Sequence, residues 1–145
     1  MSEIVEKTIR DAFPDAVLES TDIHGILNMK IRPSDLLAVC EMLQSKLAFD
    51  YLADITAIDW QDRVEVVYQL TALASNTRIA LRVNLDYANL ELDSVYSVWK
   101  GSELQEREAY DLMGVVFKGH PDLRRILLPD DWEGHPLRKN YVIPD

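Results

Sequence analysis

The 145-residue chain is long enough for one domain with a buried core, and 48% of its residues are hydrophobic. Its 25 acidic and 15 basic side chains give a net charge of -10, a field that repels a nucleic-acid backbone and argues against DNA or RNA binding. No apolar run approaches the roughly 20 residues needed to span a bilayer. The opening Met1-Ser2-Glu3-Ile4-Val5-Glu6 has neither a basic nor a continuous apolar region, so a cytoplasmic protein without direct membrane insertion is expected. The single cysteine, Cys40, excludes an internal disulfide and is too few for an iron–sulfur cluster.

In chain order, Val5, Ile9, Ala12 and Phe13 fall at helical spacing over residues 3–13, and Pro14 ends the pattern. Strands are expected near 16–20 and 26–32, parted by a turn at His24-Gly25. Pro33 then suits the first position of a helix over 33–47, with Asp35 in its positive first turn. That helix gathers Leu36, Val39, Cys40, Leu43 and Leu47 on one side, which makes Cys40 a buried structural thiol.

Three strands follow. Tyr51, Ala53, Ile55 and Ala57 share one face of the first. Val64, Val66, Tyr68 and Leu70 share one face of the second, and Ile79, Leu81, Val83, Leu85 and Tyr87 one face of the third. The order predicts an α+β fold of the form αββαβββ: an antiparallel sheet with both helices on its buried face. Residues 1–90 make this sandwich. Residues 91–145 add short helices and an extended partner-docking arm, in one structural unit overall.

In that second part the pattern predicts a short helix near 94–99. A second helix starts at Ser102, capped in a box with Gln105, and stops at Gly114. Beyond it, Pro121, Pro129, Pro136 and Pro144 forbid a long helix. Yet Phe117, Ile126, Leu127, Leu128, Trp132, Leu137 and Tyr141 are too apolar for a disordered tail, so a partner surface is the natural place for them.

No catalytic constellation stands out. Glu106, Glu108 and Asp111 offer carboxylates for acid–base work, but Glu103, Arg107 and Asp111 also form an i, i+4 ion-pair ladder, with Glu106 at the edge of packed surface. His24, His120 and His135 lack neighbours at metal-ligand spacing. His120 and His135 lie in Gly-His-Pro units suited to pinning turns through backbone carbonyls. Arg124-Arg125 and Arg138-Lys139 are interleaved with Asp122, Asp130, Asp131 and Glu133, a mixture that suits charge-complementary protein contact. Trp60 and Trp99 read as core or sheet-edge residues and Trp132 as an interface anchor. The residues alone therefore describe an α+β domain with a partner-seeking arm.

Three words go further. Glu106-Arg107-Glu108-Ala109-Tyr110-Asp111-Leu112-Met113-Gly114 is followed by Gly119-His120-Pro121-Asp122-Leu123-Arg124-Arg125-Ile126-Leu127. Then comes Pro129-Asp130-Asp131-Trp132-Glu133-Gly134-His135-Pro136-Leu137-Arg138-Lys139. Together they resemble the signature of the complex I 30 kDa subunit family, known as the C subunit in bacteria and the J subunit in cyanobacteria and chloroplasts. The upstream Asp54-Ile55-Thr56-Ala57-Ile58-Asp59 is similar to a further family word. The likeness covers residues 49–141 by motif and the first 48 by layout. Leu112-Met113 stands where Met or Leu followed by Phe is expected, and Asn140 where an acidic residue is commoner.

The resemblance implies a non-catalytic subunit of the peripheral arm of a proton-translocating quinone oxidoreductase, inactive when isolated. It implies no cofactor in this chain, with flavin, iron–sulfur clusters and quinone held by partners. Two complex I partners are implied, the large 49 kDa-type (D) subunit and the small cluster-bearing (B) subunit. The expected location is the cytoplasmic side of the cell membrane, or the stromal face of a thylakoid. Within this reading, residues 106–114 orient the arm and Trp132, Leu137 and Tyr141 anchor it. Arg124, Arg125, Arg138 and Lys139 pair with acidic partner groups. Gly114, His120, Pro121, Asp130, Asp131, Gly134 and Pro136 complete the interface and family motif. The alternatives are the homologous small subunit of an energy-converting membrane hydrogenase or reduced-deazaflavin dehydrogenase, a free-standing enzyme using Glu106, Glu108 and Asp111, and a free-standing adaptor.

Overall fold

The computed structural model describes residues 2–129 and 131–138; Asp130, Lys139 and Tyr141 lie outside the described residues. Helix α1 (Ser2–Ala12) buries Val5 and Ile9 completely and turns its Glu6–Arg10 and Lys7–Asp11 pairs outward. Strands β1 (Val17–Ile23) and β2 (Ile26–Ile31) form a hairpin whose two-residue link is His24 and Gly25. Their φ values of 52° and 81° put both residues in the left-handed region, as in a type I′ turn, whose twist matches the right-handed twist of the flanking strands. A turn of 3-10 helix at Pro33–Asp35 leads into α2 (Leu36–Leu47), which buries Leu36, Val39, Cys40, Met42 and Leu43. Burial raises the Cys40 thiol pKa well above its usual value, with Glu106 and Glu41 adding to it, so the thiol is an inert core group.

The sheet is completed by β3 (Tyr51–Asp59), β4 (Val64–Ala72) and β5 (Thr77–Leu85), in the order β1-β2-β5-β4-β3. It is mixed rather than purely antiparallel: β2 and β5 run parallel at its centre. The reason is that α2 carries the chain across to the far edge, as a helical crossover can and a tight hairpin cannot. The antiparallel β3-β4-β5 meander then returns toward β2 and meets it in parallel.

Alternation in β3 also departs from expectation. A register shift between Leu52 and Asp54 turns Leu52 and Ile55 inward and leaves Tyr51 and Ala53 exposed. A bulge inserts one residue and so exchanges the faces on either side of it.

Residues 91–118 complete the core. A parallel pair, β6 (Glu91–Asp93) and β7 (Val116–Lys118), brackets α3 (Ser102–Met113). Leu92, Val95, Trp99, Ala109, Met113, Val115 and Phe117 join the same hydrophobic cluster as the sheet. Phe117 is therefore core, with 1% of its surface exposed, and the extended segment begins only after Lys118.

The helix expected at 94–99 is instead a turn. Its residues are already committed: the Ser94 amide donates to Lys118 O, the Val95 amide to a Glu106 carboxylate oxygen, and the Trp99 indole to Phe49 O. The capping box at Ser102 does not form either. Gly101 occupies the cap position without a side-chain bond, and Gln105 Oε1 accepts from the Ile55 amide, tying α3 to the β3 edge.

Candidate functional site

The last turn of an α-helix leaves carbonyls without intrahelical partners, and in α3 residues of the extended segment supply most of them. Gly114, at φ 81°, turns the chain and donates its amide to Tyr110 O. Asp111 O accepts from Arg125 Nη1 (2.8 Å) and from His135 Nδ1 (3.0 Å). Leu112 O accepts from the Leu137 amide (3.0 Å) and Met113 O from Arg138 Nε (2.6 Å). Two guanidinium groups therefore face the negative end of the helix dipole.

Asp111 is the centre of this arrangement. A carboxylate in the last helical turn opposes the dipole and needs explicit compensation. Its Oδ1 accepts from Arg125 Nη1 at 2.7 Å, and its Oδ2 from the amides of Ile126, Leu127 and Leu128 at 3.2, 2.8 and 3.1 Å. Consecutive amides converging on one oxygen form an anion nest, here filled by the chain's own carboxylate. Burial tends to raise the Asp111 pKa. Arg125 and the amides of Leu127, Ile126 and Leu128 outweigh it and hold the carboxyl below its ordinary value.

Arg125, expected to meet an acidic partner, instead uses its reach inside the chain, because Nη2 also donates to Trp132 O (2.9 Å) and Gly134 O (2.7 Å). Only 10% of its side chain is exposed. Arg138 is similarly committed to Met113 O, and Arg124 bonds Asp122 while remaining exposed. The ladder along α3 stops halfway: Arg107 meets Glu103 at 3.4 Å, then donates to the carbonyls of Arg124 and Arg125 rather than to Asp111.

Both Gly-His-Pro units pin the segment through carbonyls, as expected. His120 Nε2 bonds Glu103 O (2.9 Å) while its Nδ1 accepts from the Asp122 amide (2.9 Å), which fixes the tautomer with hydrogen on Nε2. Pro121 follows, exposed, at the turn. His135 must carry hydrogen on Nδ1 to reach Asp111 O, and its ring meets Tyr110 edge-on with centroids 6.0 Å apart. Burial, then the neighbouring Arg138 and Arg125, lowers its pKa and favours the neutral ring.

The carboxylates offered as catalytic do not converge. Glu108 is exposed, Asp111 is turned into the nest, and Glu106 is fully buried rather than at the edge of packed surface. Glu106 accepts from Ser94 Oγ (2.6 Å) and the Val95 amide (2.9 Å), and among the described residues no cation is bonded to it. Burial raises its pKa against these bonds and the influence of His120 and Ser102. An acid whose folded pKa is raised contributes stability below its unfolded value, and loses it as pH rises through the folded one. Glu106→Gln is therefore expected to cost less than about 1.5 kcal/mol at pH 5 and to flatten the fall in stability toward pH 8. Urea midpoints at the two pH values check this, and an unchanged slope refutes it.

What the pinned segment presents outward is apolar. Leu127 and Leu137 are each 58% exposed and Trp132 36%, beside the exposed Asp131 and Gly134; Pro136 is half-buried. Sequence reasoning singles out these apolar residues but misses the Asp111 nest. Its signal is an acid placed where the helix dipole disfavours one.

Residues 29–145 match the family described as respiratory-chain NADH dehydrogenase, 30 Kd subunit. The chain is 46% identical over 133 residues to the NADH-quinone oxidoreductase C subunit of Moorella thermoacetica, covering 89% of this chain and 87% of that one. It is 39% identical over 138 residues to the protein of the same name in Geotalea uraniireducens, covering 93% and 84%. Among solved structures, a trypsin-resistant fragment of Nqo5 superposes with TM-score 0.69 at 29% identity, covering 84% of this chain and 98% of the fragment. A chain of an archaeal membrane-bound sulfane sulfur reductase shares the fold, with TM-score 0.82 at 23% identity, over 98% of this chain and 86% of that one.

Proposed function

This chain belongs to the respiratory-chain NADH dehydrogenase 30 kDa subunit family, and from that premise we propose that it is a non-catalytic structural subunit of a proton-translocating quinone oxidoreductase. Its place is the peripheral arm, docked onto the 49 kDa-type subunit and the small cluster-bearing subunit. Flavin, iron–sulfur clusters and quinone belong to those neighbours and to the rest of the complex, and the isolated chain is inactive. The lone cysteine supports this reading, because its buried thiol resists ionisation and offers no thiolate set to a cluster. Among the described residues no helix is long and apolar enough to cross a membrane, which suits attachment through the complex on the cytoplasmic or stromal side.

The observation that carries the proposal is the rigid presentation of Leu127, Trp132 and Leu137. Their backbones are held by the Asp111 carboxylate at the Leu127 amide, by Arg125 at Trp132 O and by Leu112 O at the Leu137 amide, so little entropy remains to be lost when a partner buries them. Leu127→Asp combined with Leu137→Asp should leave the thermal midpoint of the isolated chain within a few degrees of wild type, since both side chains face solvent. The pair should abolish co-purification with the 49 kDa-type subunit. An unchanged yield of that partner overturns the proposal.

A further inference from the structure

The sheet face turned away from the core carries, in register across its five strands, Glu19, Lys30, Arg82, Val67 and Thr56, none of which belongs to the hydrophobic cluster. Lys30 and Arg82 are direct neighbours on the parallel strands β2 and β5, and like charges side by side work against sheet pairing. A third cation, Arg63, lies over the Trp60 ring at 5.6 Å. Lys30, Arg63, Arg82 and Trp60 line a groove of about 280 Å³ together with Glu19, Asn28 and Glu65.

The groove is lined by three cations against two carboxylates, although the chain as a whole is acidic. Glu65, 3% exposed, is already occupied by Arg82 Nη1 (2.9 Å) and the Trp60 indole (3.3 Å). Arg82 Nε is fixed on Asn28, while Arg63 uses Nε on Asn84 and Nη1 on Asp62. Among the described residues, the Nη2 groups of Arg63 and Arg82 have no acceptor. Among the described residues Lys30 pairs with Glu19 alone, at 3.1 Å, and remains about a third exposed. Planar guanidinium ends with spare donors seek carboxylates, and Arg beside Trp is the composition of an interface centre.

We propose that this groove is a second protein interface, separate from the 119–138 segment, which receives an acidic segment of a neighbouring subunit. Lys30, Arg63 and Arg82 take its carboxylates and the Trp60 ring takes an adjoining apolar side chain. An anionic membrane or a nucleic acid is a poorer occupant, because the net charge of -10 repels an extended anionic surface while a short acidic segment meets only the local cations. The inference rests on the chain working inside a multisubunit complex, though not on the docking of the 119–138 segment.

The test is zero-length carbodiimide coupling of the purified complex, with Glu19→Gln removing the carboxylate nearest Lys30. The expected product is an amide between Lys30 Nζ and an Asp or Glu of another subunit, the displaced oxygen leaving in the urea. Its yield should fall by about tenfold in Arg63→Glu and recover in Arg63→Lys. Lys30 left uncoupled, or coupled only within its own chain or to a second copy of it, overturns the inference while leaving the complex itself intact. Binding of the chain to phosphatidylglycerol vesicles that is lost in Arg63→Glu overturns it in favour of a membrane. A chain that purifies without other subunits overturns the assembly reading as well.

Discussion

Asp111→Ala should be the most damaging single truncation in the 102–138 region, lowering stability by about 3–5 kcal/mol, the usual cost of removing one partner from a buried ion pair. Three losses coincide. Arg125 keeps its charge with 10% of its side chain exposed and no carboxylate to meet it. The amides of Ile126, Leu127 and Leu128 lose their common acceptor. The carbonyls of Trp132 and Gly134 lose their hold when Arg125 swings free. One gain opposes these, since an acid is removed from the negative end of α3, but that relief is worth only about 0.3–1 kcal/mol. The net sign is therefore clear.

The damage should be local in its first effect. Residues 119–138 should become open to protease at concentrations of denaturant that leave the sheet protected, whereas wild type should be cut only on global unfolding. The pH dependence follows from the depressed carboxyl. Such a group contributes stability above its unfolded pKa, near 4, and loses it as pH falls through the lower folded value. Wild type should therefore lose protection of this segment on acidification below about pH 4, and Asp111→Ala should lack that step. If the variant unfolds within 1 kcal/mol of wild type (about RT ln 5), the nest is not what holds the segment.

Much of the fold was legible because local rules and tertiary structure agree there. The period of α1, the His24-Gly25 turn and the alternation of β5 each follow from nearest-neighbour chemistry. The failures share a cause. The parallel β2–β5 pairing, the anchoring of Trp99 in the 94–99 turn and the partner of Gln105 are set by groups fifty or so residues away, namely Ile79–Arg82, Phe49 and Ile55. No window of sequence contains both halves of such a contact. The site divides in the same way. Leu127, Trp132 and Leu137 announce themselves as apolar residues in an irregular segment, but the destination of Arg125 does not. A cation in a segment expected to meet a partner satisfies charge complementarity equally well inside the chain or outside it, and only the nest around Asp111 decides between them.

Gly114 carries the second large effect, since two separate constraints meet at one position. Its φ of 81° is left-handed, which costs an alanine about 1 kcal/mol. A Cβ there would also collide with Arg138 Nη2 and approach His135 Cδ2 to 2.7 Å. To admit it, the guanidinium tip and the imidazole must both shift, which strains the Arg138 bond to Met113 O and the His135 bond to Asp111 O, the latter carbonyl keeping Arg125 as a donor. Gly114→Ala should therefore cost about 2–4 kcal/mol, strain and lost caps together. The two contributions separate experimentally. Gly114→Asn tolerates the left-handed backbone but keeps the collision, so it should recover only the strain. Arg138→Ala removes the main obstacle, so the double variant Gly114→Ala, Arg138→Ala should be more stable than the sum of the single changes by about 1 kcal/mol or more. Additive behaviour in urea unfolding would mean that Arg138 does not pack over Gly114. The close approach that joins α3 to residues 135–138 would then be absent in solution.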